Sequence, residues 1–340
     1  MQLFHWCFAL ALTGLPLPSS GQGQRVEAGP LILDVHVSRT ANLFHAVDQI
    51  SGWSPFCHDQ YLAAFGELDA EDRAMLAEHV GVRAKHSWGQ GLEQAFYVEH
   101  ELEQALELAV TAGLLSAEES EVERRVFLHF AERSDRLLER ELERLFAFAE
   151  RIGTAREELG VLAKSLERLM GRAPEPVPVF LMANPSETNL GGGFNGGKLT
   201  LEVPSGNGEN AFGTFVHEAF HAFLELEREH MIEVTKGVHP LMNDQTLNEG
   251  LAHAIAPGLY HNMGPDRDAL AERVTWFREQ GKTLSDYDYR VHRYGLALRP
   301  LVEQALADET MSFEALCQRA LDVWRELPDL KQTSPVPESR

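Results

Sequence analysis

The sequence predicts an α+β protein that is mainly helical. In the first half of the chain, apolar residues recur every three or four positions over long stretches, which is the spacing of amphipathic helices. Three short segments, 31–37, 178–182 and 198–203, have instead the apolar runs or the alternation that strands show. The chain is therefore expected to form a helical N-terminal region, then a small sheet with a pair of helices, closed by C-terminal helices.

Residues 1–23 have the composition of a signal peptide. An apolar core from Phe4 to Leu17 is followed by small residues where a signal peptidase could cut. This core is shorter than the roughly 20 apolar residues that a membrane-spanning helix needs. We therefore expect export to a secreted or periplasmic location, with no membrane span after signal removal. An uncleaved apolar N-terminal segment is the alternative.

Residues 24–172 are expected to form a mainly helical N-terminal region. After the strand at 31–37, helical periodicity covers the segments 41–50, 61–80, 91–113, 118–152 and 155–170. The fourth of these segments has the longest apolar stripe, formed by Val126, Phe130, Leu137, Leu138, Leu142, Leu145 and Phe148. Such a stripe usually packs in a core, and a partner-binding or coiled-coil face is the alternative.

A domain boundary is expected at about residue 172. A glycine and two prolines within residues 171–176 end the helical periodicity there. Residues 173–332 would then form a second region with its own chemistry. The polar residues 333–340, which include two prolines, predict a disordered tail.

The second region begins with the signals of a small sheet. The apolar strand at 178–182 precedes a glycine-rich turn at 191–197, and residues 198–203 alternate polar and apolar side chains like an edge strand. The glycine run lacks the Gly-Lys-Ser/Thr ending of a P-loop and the spacing of a Rossmann turn. We therefore expect a hairpin here and no nucleotide site.

Residues 216–221, Val-His-Glu-Ala-Phe-His, contain an H-E-x-x-H motif. On a helix, His217 and His221 project from one face because they are four residues apart. Glu218 lies beside them and can reach water at a metal held by both imidazoles. Two histidines packed in a helical core are the alternative, but their spacing around a glutamate favours a zinc site.

A catalytic zinc site usually has three protein ligands and one open position. The third histidine of the metzincin pattern is absent, because Glu227 occupies that place. Residues from Thr246 to about Tyr260 predict a second helix, which Pro257 kinks or ends early. Glu249 near its start could face the first helix and complete the site. Alternatively, Glu249 could form a capping box with Thr246.

With both motifs in place, residues 175–305 resemble the gluzincin metallopeptidases, the superfamily of thermolysin-like enzymes and zinc aminopeptidases. In that group a second helix carries the ligand glutamate in an N-E-G-x-A sequence, and residues 248–252 here read Asn-Glu-Gly-Leu-Ala. The resemblance implies a zincin-like fold around a bound Zn²⁺. It also implies the site residues, namely the zinc ligands His217, His221 and Glu249 and the general base Glu218.

The chain departs from the best-known gluzincins in two ways. The 27 residues between His221 and Glu249 are a longer separation, so an inserted loop is expected at 229–244. Four residues after the ligand glutamate, thermolysin-like enzymes have an aspartate that supports a zinc histidine. This chain has His253 at that position. His253 could make a similar hydrogen bond or simply pack.

The resemblance further implies an edge strand that pairs with extended peptide substrate and a downstream donor to the oxyanion. The strand at 198–203 is the candidate for the first role. For the second role, His292 through an imidazole N–H comes first and Tyr294 next, with Tyr289 as a further choice. The alternative is that these residues cap or cover a C-terminal helix.

The composition excludes some partners. With 30 Lys and Arg against 52 Asp and Glu, the formal net charge is −22, which argues against nucleic-acid binding and docking on anionic membranes. Once a signal peptide is removed, Cys57 and Cys317 remain and could pair or stay as free thiols. Nothing in the sequence indicates an oligomeric state.

The expected function is that of a zinc-dependent metallopeptidase acting on a peptide or protein substrate, with Glu218 as general base. The alternative is a catalytically inactive, metalloprotease-like binding or structural protein. The intact Glu218 argues against that alternative, because a site without catalytic demand needs no base. Hydrolysis of a non-peptide amide or ester is a third, weaker interpretation. No amine-anchoring motif is evident, which favours an endopeptidase over an exopeptidase.

Overall fold

The computed structural model describes residues 23–54, 57, 59–86, 91–187, 191–206, 209–260, 268–328 and 330. Over these residues the chain is mainly helical with a small mixed sheet, which confirms the predicted α+β class. The expected signal peptide, apart from its last residue, and the expected tail at 333–340 lie outside the described residues. Among the described residues, no helix is long and apolar enough to span a membrane.

The strands are β1 Gly23–Ala28, β2 Leu31–His36, β3 Val177–Asn184, β4 Gly192–Asn195 and β5 Lys198–Pro204. The first seven helices are α1 Arg39–Ser51, α2 Asp59–Phe65, α3 Ala70–Arg83, α4 Leu92–Phe96, α5 Leu102–Thr111, α6 Ala117–Thr154 and α7 Arg156–Met170. The remaining helices are α8 Glu209–Leu224, α9 Arg228–Thr235, α10 Asp244–His253, α11 Ala269–Glu279, α12 Tyr287–Ala307 and α13 Phe313–Arg325.

The long helix predicted at 118–152 is confirmed as α6. It begins with a capping box, in which Ser116 accepts from the Glu119 backbone N–H and the Glu119 carboxylate accepts from the Ser116 N–H. Most of its predicted apolar stripe is buried, so the stripe is core and not a free face. The predicted helices 61–80 and 91–113 are each interrupted, giving α2 with α3 and α4 with α5.

The five strands lie in the order β1-β2-β3-β5-β4. The strands β2, β3 and β5 are parallel, and the outer strands β1 and β4 are antiparallel to their neighbours. The prediction that 198–203 is an edge strand was therefore wrong, because β4 covers it. The glycine run forms that extra strand, since Gly196 and Gly197 both have positive φ and make a two-residue hairpin turn.

The sheet crosses the boundary expected at residue 172. In the parallel pairing of β2 with β3, Leu33 lies opposite Val177. Both regions also contribute to the same large hydrophobic core. The turn at 171–176 therefore joins two elements of one packed body and does not separate two cores.

The helix pair that carries the two motifs packs beside the β4–β5 hairpin. The helix α8 lies against β4 and β5, and α10 packs against both α8 and α12. The predicted second helix is interrupted as expected near Pro257, since α10 ends at His253 and an irregular turn follows at 254–259. The segment predicted as a loop at 229–244 instead contains the helix α9.

The two cysteines do not pair. Cys57 is half-buried and donates its thiol to the Asp48 carbonyl oxygen at 3.4 Å, while Cys317 is buried in α13. The sequence had left both possibilities open.

Candidate metal centre

The two histidines of the H-E-x-x-H motif meet at their ring tips. Because His217 and His221 are one turn apart on α8, their imidazoles lie on one face, and both side chains are nearly buried. Their Nε2 atoms are 3.1 Å apart. The surrounding α8 side chains, among them Phe215, Val216 and Phe220, are fully buried and fix this face against the core.

Each ring is oriented by an acceptor at its other nitrogen. His217 Nδ1 lies 2.9 Å from the Ala256 carbonyl oxygen, and His221 Nδ1 lies 2.8 Å from Asn248 Oδ1. An oxygen accepts only from an N–H, so both Nδ1 atoms carry the proton. Ala256 can accept because its extended backbone interrupts the helical turn. Both Nε2 lone pairs therefore point into the same space.

Glu249 adds a carboxylate to this space. Its Oε2 lies 3.2 Å from His217 Nε2, and its Oε1 lies 3.7 Å from His221 Nε2. The capping-box alternative for Glu249 is wrong, because α10 begins one turn earlier than expected. Asn243 caps it by accepting from the Thr246 backbone N–H. The carboxylate is thus free to face α8.

The spacing of these donor atoms fits a metal ion. Ligand atoms about 2.1 Å from a tetrahedral zinc lie about 3.4 Å from one another. The observed separations of 3.1, 3.2 and 3.7 Å bracket that value. The donor set of two imidazoles and one carboxylate is also that of known catalytic zinc sites. His217, His221 and Glu249 are therefore brought together as the sequence predicts.

Without a metal, a proton takes the place of the cation. Burial lowers the pKa of His217, but its hydrogen bond to Glu249 and the charge of that carboxylate outweigh burial and raise the pKa to about 9. In the same way, burial is outweighed at Glu249, whose pKa is lowered to about 2 by His217 and His221. Two lone pairs and a carboxylate at this distance require a positive charge between them.

Glu218 lies beside the centre and against the sheet edge. Burial is the main cause that raises its pKa above the ordinary value, while the charges of His217 and His221 and a hydrogen bond from the Phe194 backbone N–H oppose it. The strand β4 comes this close because residue 192 is a glycine. A Cβ there would stand 3.0 Å from Thr214 Cγ2 and 3.3 Å from Glu218 Cγ.

His253 is a fourth candidate ligand, for which the sequence indicated only packing or a hydrogen bond. Its Nε2 lies 4.0 Å from Glu249 Oε2, and its ring centroid lies 4.5 Å from that of His217. Among the described residues, its buried Nδ1 has no hydrogen-bond partner. His217, Glu249 and His253 together form a group that could hold a metal ion. Its position one turn after Glu249 was the available signal.

The helix α12 presents His292 to the centre but not Tyr294. The His292 and His253 rings are in contact, with centroids 3.9 Å apart and planes tilted by 34°. Residues two apart on a helix point in nearly opposite directions, so Tyr294 faces away. Its buried hydroxyl donates to the Ala320 carbonyl oxygen at 2.7 Å, so the predicted role of Tyr294 as oxyanion donor is wrong. Tyr289 is likewise buried against Phe277.

His292 has the wrong tautomer for the role predicted for it. Its Nδ1 lies 2.7 Å from the Asp288 carbonyl oxygen and therefore carries the proton. Burial is the main cause that lowers the pKa of His292 to about 4, so the ring is neutral near pH 7. Its Nε2 is consequently an acceptor and cannot donate to an oxyanion.

Tyr287, at the start of α12, was not singled out from the sequence as an oxyanion donor. Its side chain is 41% exposed. Burial is the main cause that raises its pKa, and the negative charge of Glu249 raises it further, which places this phenol within the electrostatic reach of the centre. Among the described residues, its hydroxyl makes no hydrogen bond, unlike that of Tyr294.

Together, the fold and the site define a mainly helical α+β protein with a His/Glu cluster suited to a divalent metal. No protein-family model matches the chain, and neither the curated proteins nor the solved structures include a significant match.

Proposed function

We propose that this protein is a zinc-dependent metallopeptidase of the gluzincin type. The observation that carries the proposal is the convergence of two oriented Nε2 lone pairs and the Glu249 carboxylate, with Glu218 alongside. His217, His221 and Glu249 would hold the ion. Zinc, when bound, supplies a Lewis acid that polarises a peptide carbonyl and lowers the pKa of water.

Glu218 would carry the proton in this reaction. A general base must take a proton from water and then deliver it to the leaving amine. Burial raises the pKa of Glu218, which makes its carboxylate a stronger proton acceptor than an exposed glutamate. The Phe194 N–H would hold the carboxylate in place during both transfers.

The outer edge of β4, which pairs with no further strand in the part of the chain that the structure describes, is the surface proposed for the substrate backbone. It replaces residues 198–203, which lie inside the sheet. An extended peptide can add to a free edge through backbone hydrogen bonds. A Cβ at Gly192 would stand 3.3 Å from Glu218 Cγ, so this strand lies against the proposed base. A peptide on this edge would thus run past the proposed base.

Tyr287 is the group proposed to donate to the oxyanion. The hydroxyl of Tyr294 is already used, and the neutral His292 offers a lone pair at Nε2. A phenolic O–H has the needed donor. The negative charge of Glu249 contributes to the raised pKa of Tyr287, which supports this choice.

A closed metal site in a binding or structural protein is the second candidate. It is favoured by His253, because a fourth protein ligand would fill the position that water needs. This candidate predicts tight zinc binding with no hydrolysis of any peptide.

The deciding experiment measures zinc content and peptide hydrolysis on the same preparation. Elemental analysis of the zinc-reconstituted protein should give about one zinc per chain, and a mixed-sequence peptide library should be cleaved. Zinc without cleavage would favour the closed site. No bound zinc would exclude both candidates. We also propose that the chain is exported, which N-terminal sequencing of the natural protein would test.

A further inference from the structure

Arg273, on α11, places its guanidinium over two aromatic rings of the same helix. Its Cζ lies 4.6 Å from the ring centroid of Trp276 and 4.6 Å from that of Phe277. A cation–π contact of this kind restricts the position of a guanidinium and leaves its N–H groups available for hydrogen bonds. Arg273 and Trp276 are both exposed, so this edge is open to solvent and to a ligand.

A row of rings connects Arg273 to the centre. The centroid of the Phe277 ring lies 5.3 Å from that of His292, and the centroid of His292 lies 3.9 Å from that of His253. Arg273 on α11 is therefore connected to the candidate ligand His253 through the packed rings of Phe277 and His292.

Among the described residues, Arg273 has no carboxylate partner. The chain has 52 Asp and Glu against 30 Lys and Arg, and other described arginines, such as Arg133, pair with a carboxylate. Arg299, which approaches α11 from α12, pairs with Asp268 at 2.6 Å. A guanidinium stays charged at any physiological pH, so Arg273 presents a permanent positive charge next to the site.

We propose that Arg273 binds a carboxylate of the substrate while the scissile bond lies at the metal centre. The inference rests on the proposed peptidase function and gives it a substrate class, namely peptides with a carboxylate near the scissile bond. That carboxylate is either the free C-terminus or an acidic side chain. Both match the two parallel N–H groups that a guanidinium presents.

The first test needs no hydrolysis. Dicarboxylates from succinate to adipate, each compared with its monoamide, are titrated by calorimetry into the zinc-loaded full-length protein. One carboxylate would bind at the metal and the other at Arg273. In the wild type, the best dicarboxylate should bind about tenfold more tightly than its monoamide, as expected for one charge-assisted pair.

Variants test whether Arg273 is responsible for the tighter binding of the dicarboxylate. Arg273→Gln should lose the advantage of the dicarboxylate. Arg278→Gln, an exposed change on the same helix but on another face, should keep it. An equal advantage in the wild type and Arg273→Gln would overturn the inference, as would no advantage in the wild type. Either result leaves peptide cleavage, measured separately, as the test of the proposed function.

A second experiment separates the two sources of carboxylate. The hydrolysis-deficient Glu218→Gln protein, loaded with zinc, is titrated with one peptide as its free acid, as its C-terminal amide, and as an amide with glutamate beside the scissile bond. Preference for the free acid assigns the C-terminus, and preference for the glutamate peptide assigns the side chain. Equal binding of all three would contradict the assignment of Arg273.

Discussion

The Nε2 atoms of His217 and His221 lie 3.1 Å apart, although neither carries the proton of its neutral ring. Two lone pairs at this distance repel each other unless a cation lies between them. In the metal-free chain a proton on His217, held by Glu249, serves this purpose. The centre thus requires a positive charge between these side chains. Its stability and activity should depend on whether a metal ion or a proton supplies that charge.

Replacing Glu218 by glutamine should separate metal binding from catalysis. The amide keeps the shape of the side chain but cannot accept the proton, so zinc content should stay at the wild-type level. Hydrolysis should fall by a factor of about 10² to 10⁴. Glu229→Gln, an exposed change on α9, is the matched control and should keep full activity. Wild-type turnover by Glu218→Gln would rule out the proposed base.

Asn248→Ala should weaken zinc binding without removing a ligand. Asn248 Oδ1 accepts from His221 Nδ1, and its Nδ2 donates to Glu225 Oε1 at 3.4 Å, which fixes the amide. Losing such a supporting bond typically lowers metal affinity by a factor of about 10 to 100. Competition with a chelator measures the zinc affinity of each variant. Gln245→Ala, exposed on the same helix, is the control, and an equal affinity in both variants would contradict this role for Asn248.

Gly250→Ala should destabilise the fold at the crossing of α10 and α12. A Cβ at residue 250 would stand 2.4 Å from Tyr294 Cδ1, and that ring is fully buried. Overpacking of this kind costs about 1–3 kcal/mol. Gly81→Ala is the matched control, because nothing lies within 4 Å of its added Cβ and alanine favours a helix. Thermal unfolding compares the two; a Gly250→Ala protein as stable as Gly81→Ala would mean that α10 and α12 separate easily.

The stability of the metal-free protein should depend on pH through His217 and Glu249. The pKa of His217 is raised from 6.5 to about 9. Its contribution to the free energy of unfolding is therefore complete below pH 6.5 and is lost as the pH rises through 9. The pKa of Glu249 is lowered from 4.5 to about 2. Its contribution to the free energy of unfolding is therefore complete above pH 4.5 and is lost as the pH falls toward 2.

Denaturant unfolding between pH 5 and pH 10 checks this pH dependence. The wild type should lose stability between about pH 6.5 and pH 9, because the proton that holds the two histidines and the carboxylate together is released. Glu249→Gln removes the partner that raises the pKa of His217, so its loss over the same interval should be smaller. Parallel curves for the two proteins would show that this pair does not couple to folding.

The sequence predicted the part of the centre that depends on local spacing. His217 and His221 share a face because they are one helical turn apart, and Glu249 follows from the need for a third ligand. The orienting partners could not be predicted in this way. Ala256 supplies a carbonyl oxygen only because the chain leaves the helix there, and no residue type marks that role.

Long-range packing explains the errors. His292 and Tyr294 were both candidates, but the direction of α12 relative to α10 decides which one faces the centre. The close crossing of the two helices requires glycine at residues 250 and 295. A Cβ added at Gly295 would stand only 2.6 Å from His253 Cβ. The edge strand was misplaced for a similar reason, since a run of glycines gives no alternation to mark β4 as a strand.

The parallel pairing of β2 with β3 determines at which stage of synthesis the protein can fold. Residue 33 must find residue 177, so the sheet cannot assemble until the ribosome has produced nearly all of the helical region and the next strand. A truncated protein that starts at residue 173 would lack β2, the strand that pairs with one edge of β3. The apolar strand β3 would then have an unpaired edge, which favours aggregation. We therefore expect that the second half of the chain does not fold as an independent unit, and that limited proteolysis releases no stable fragment bearing α8 and α10.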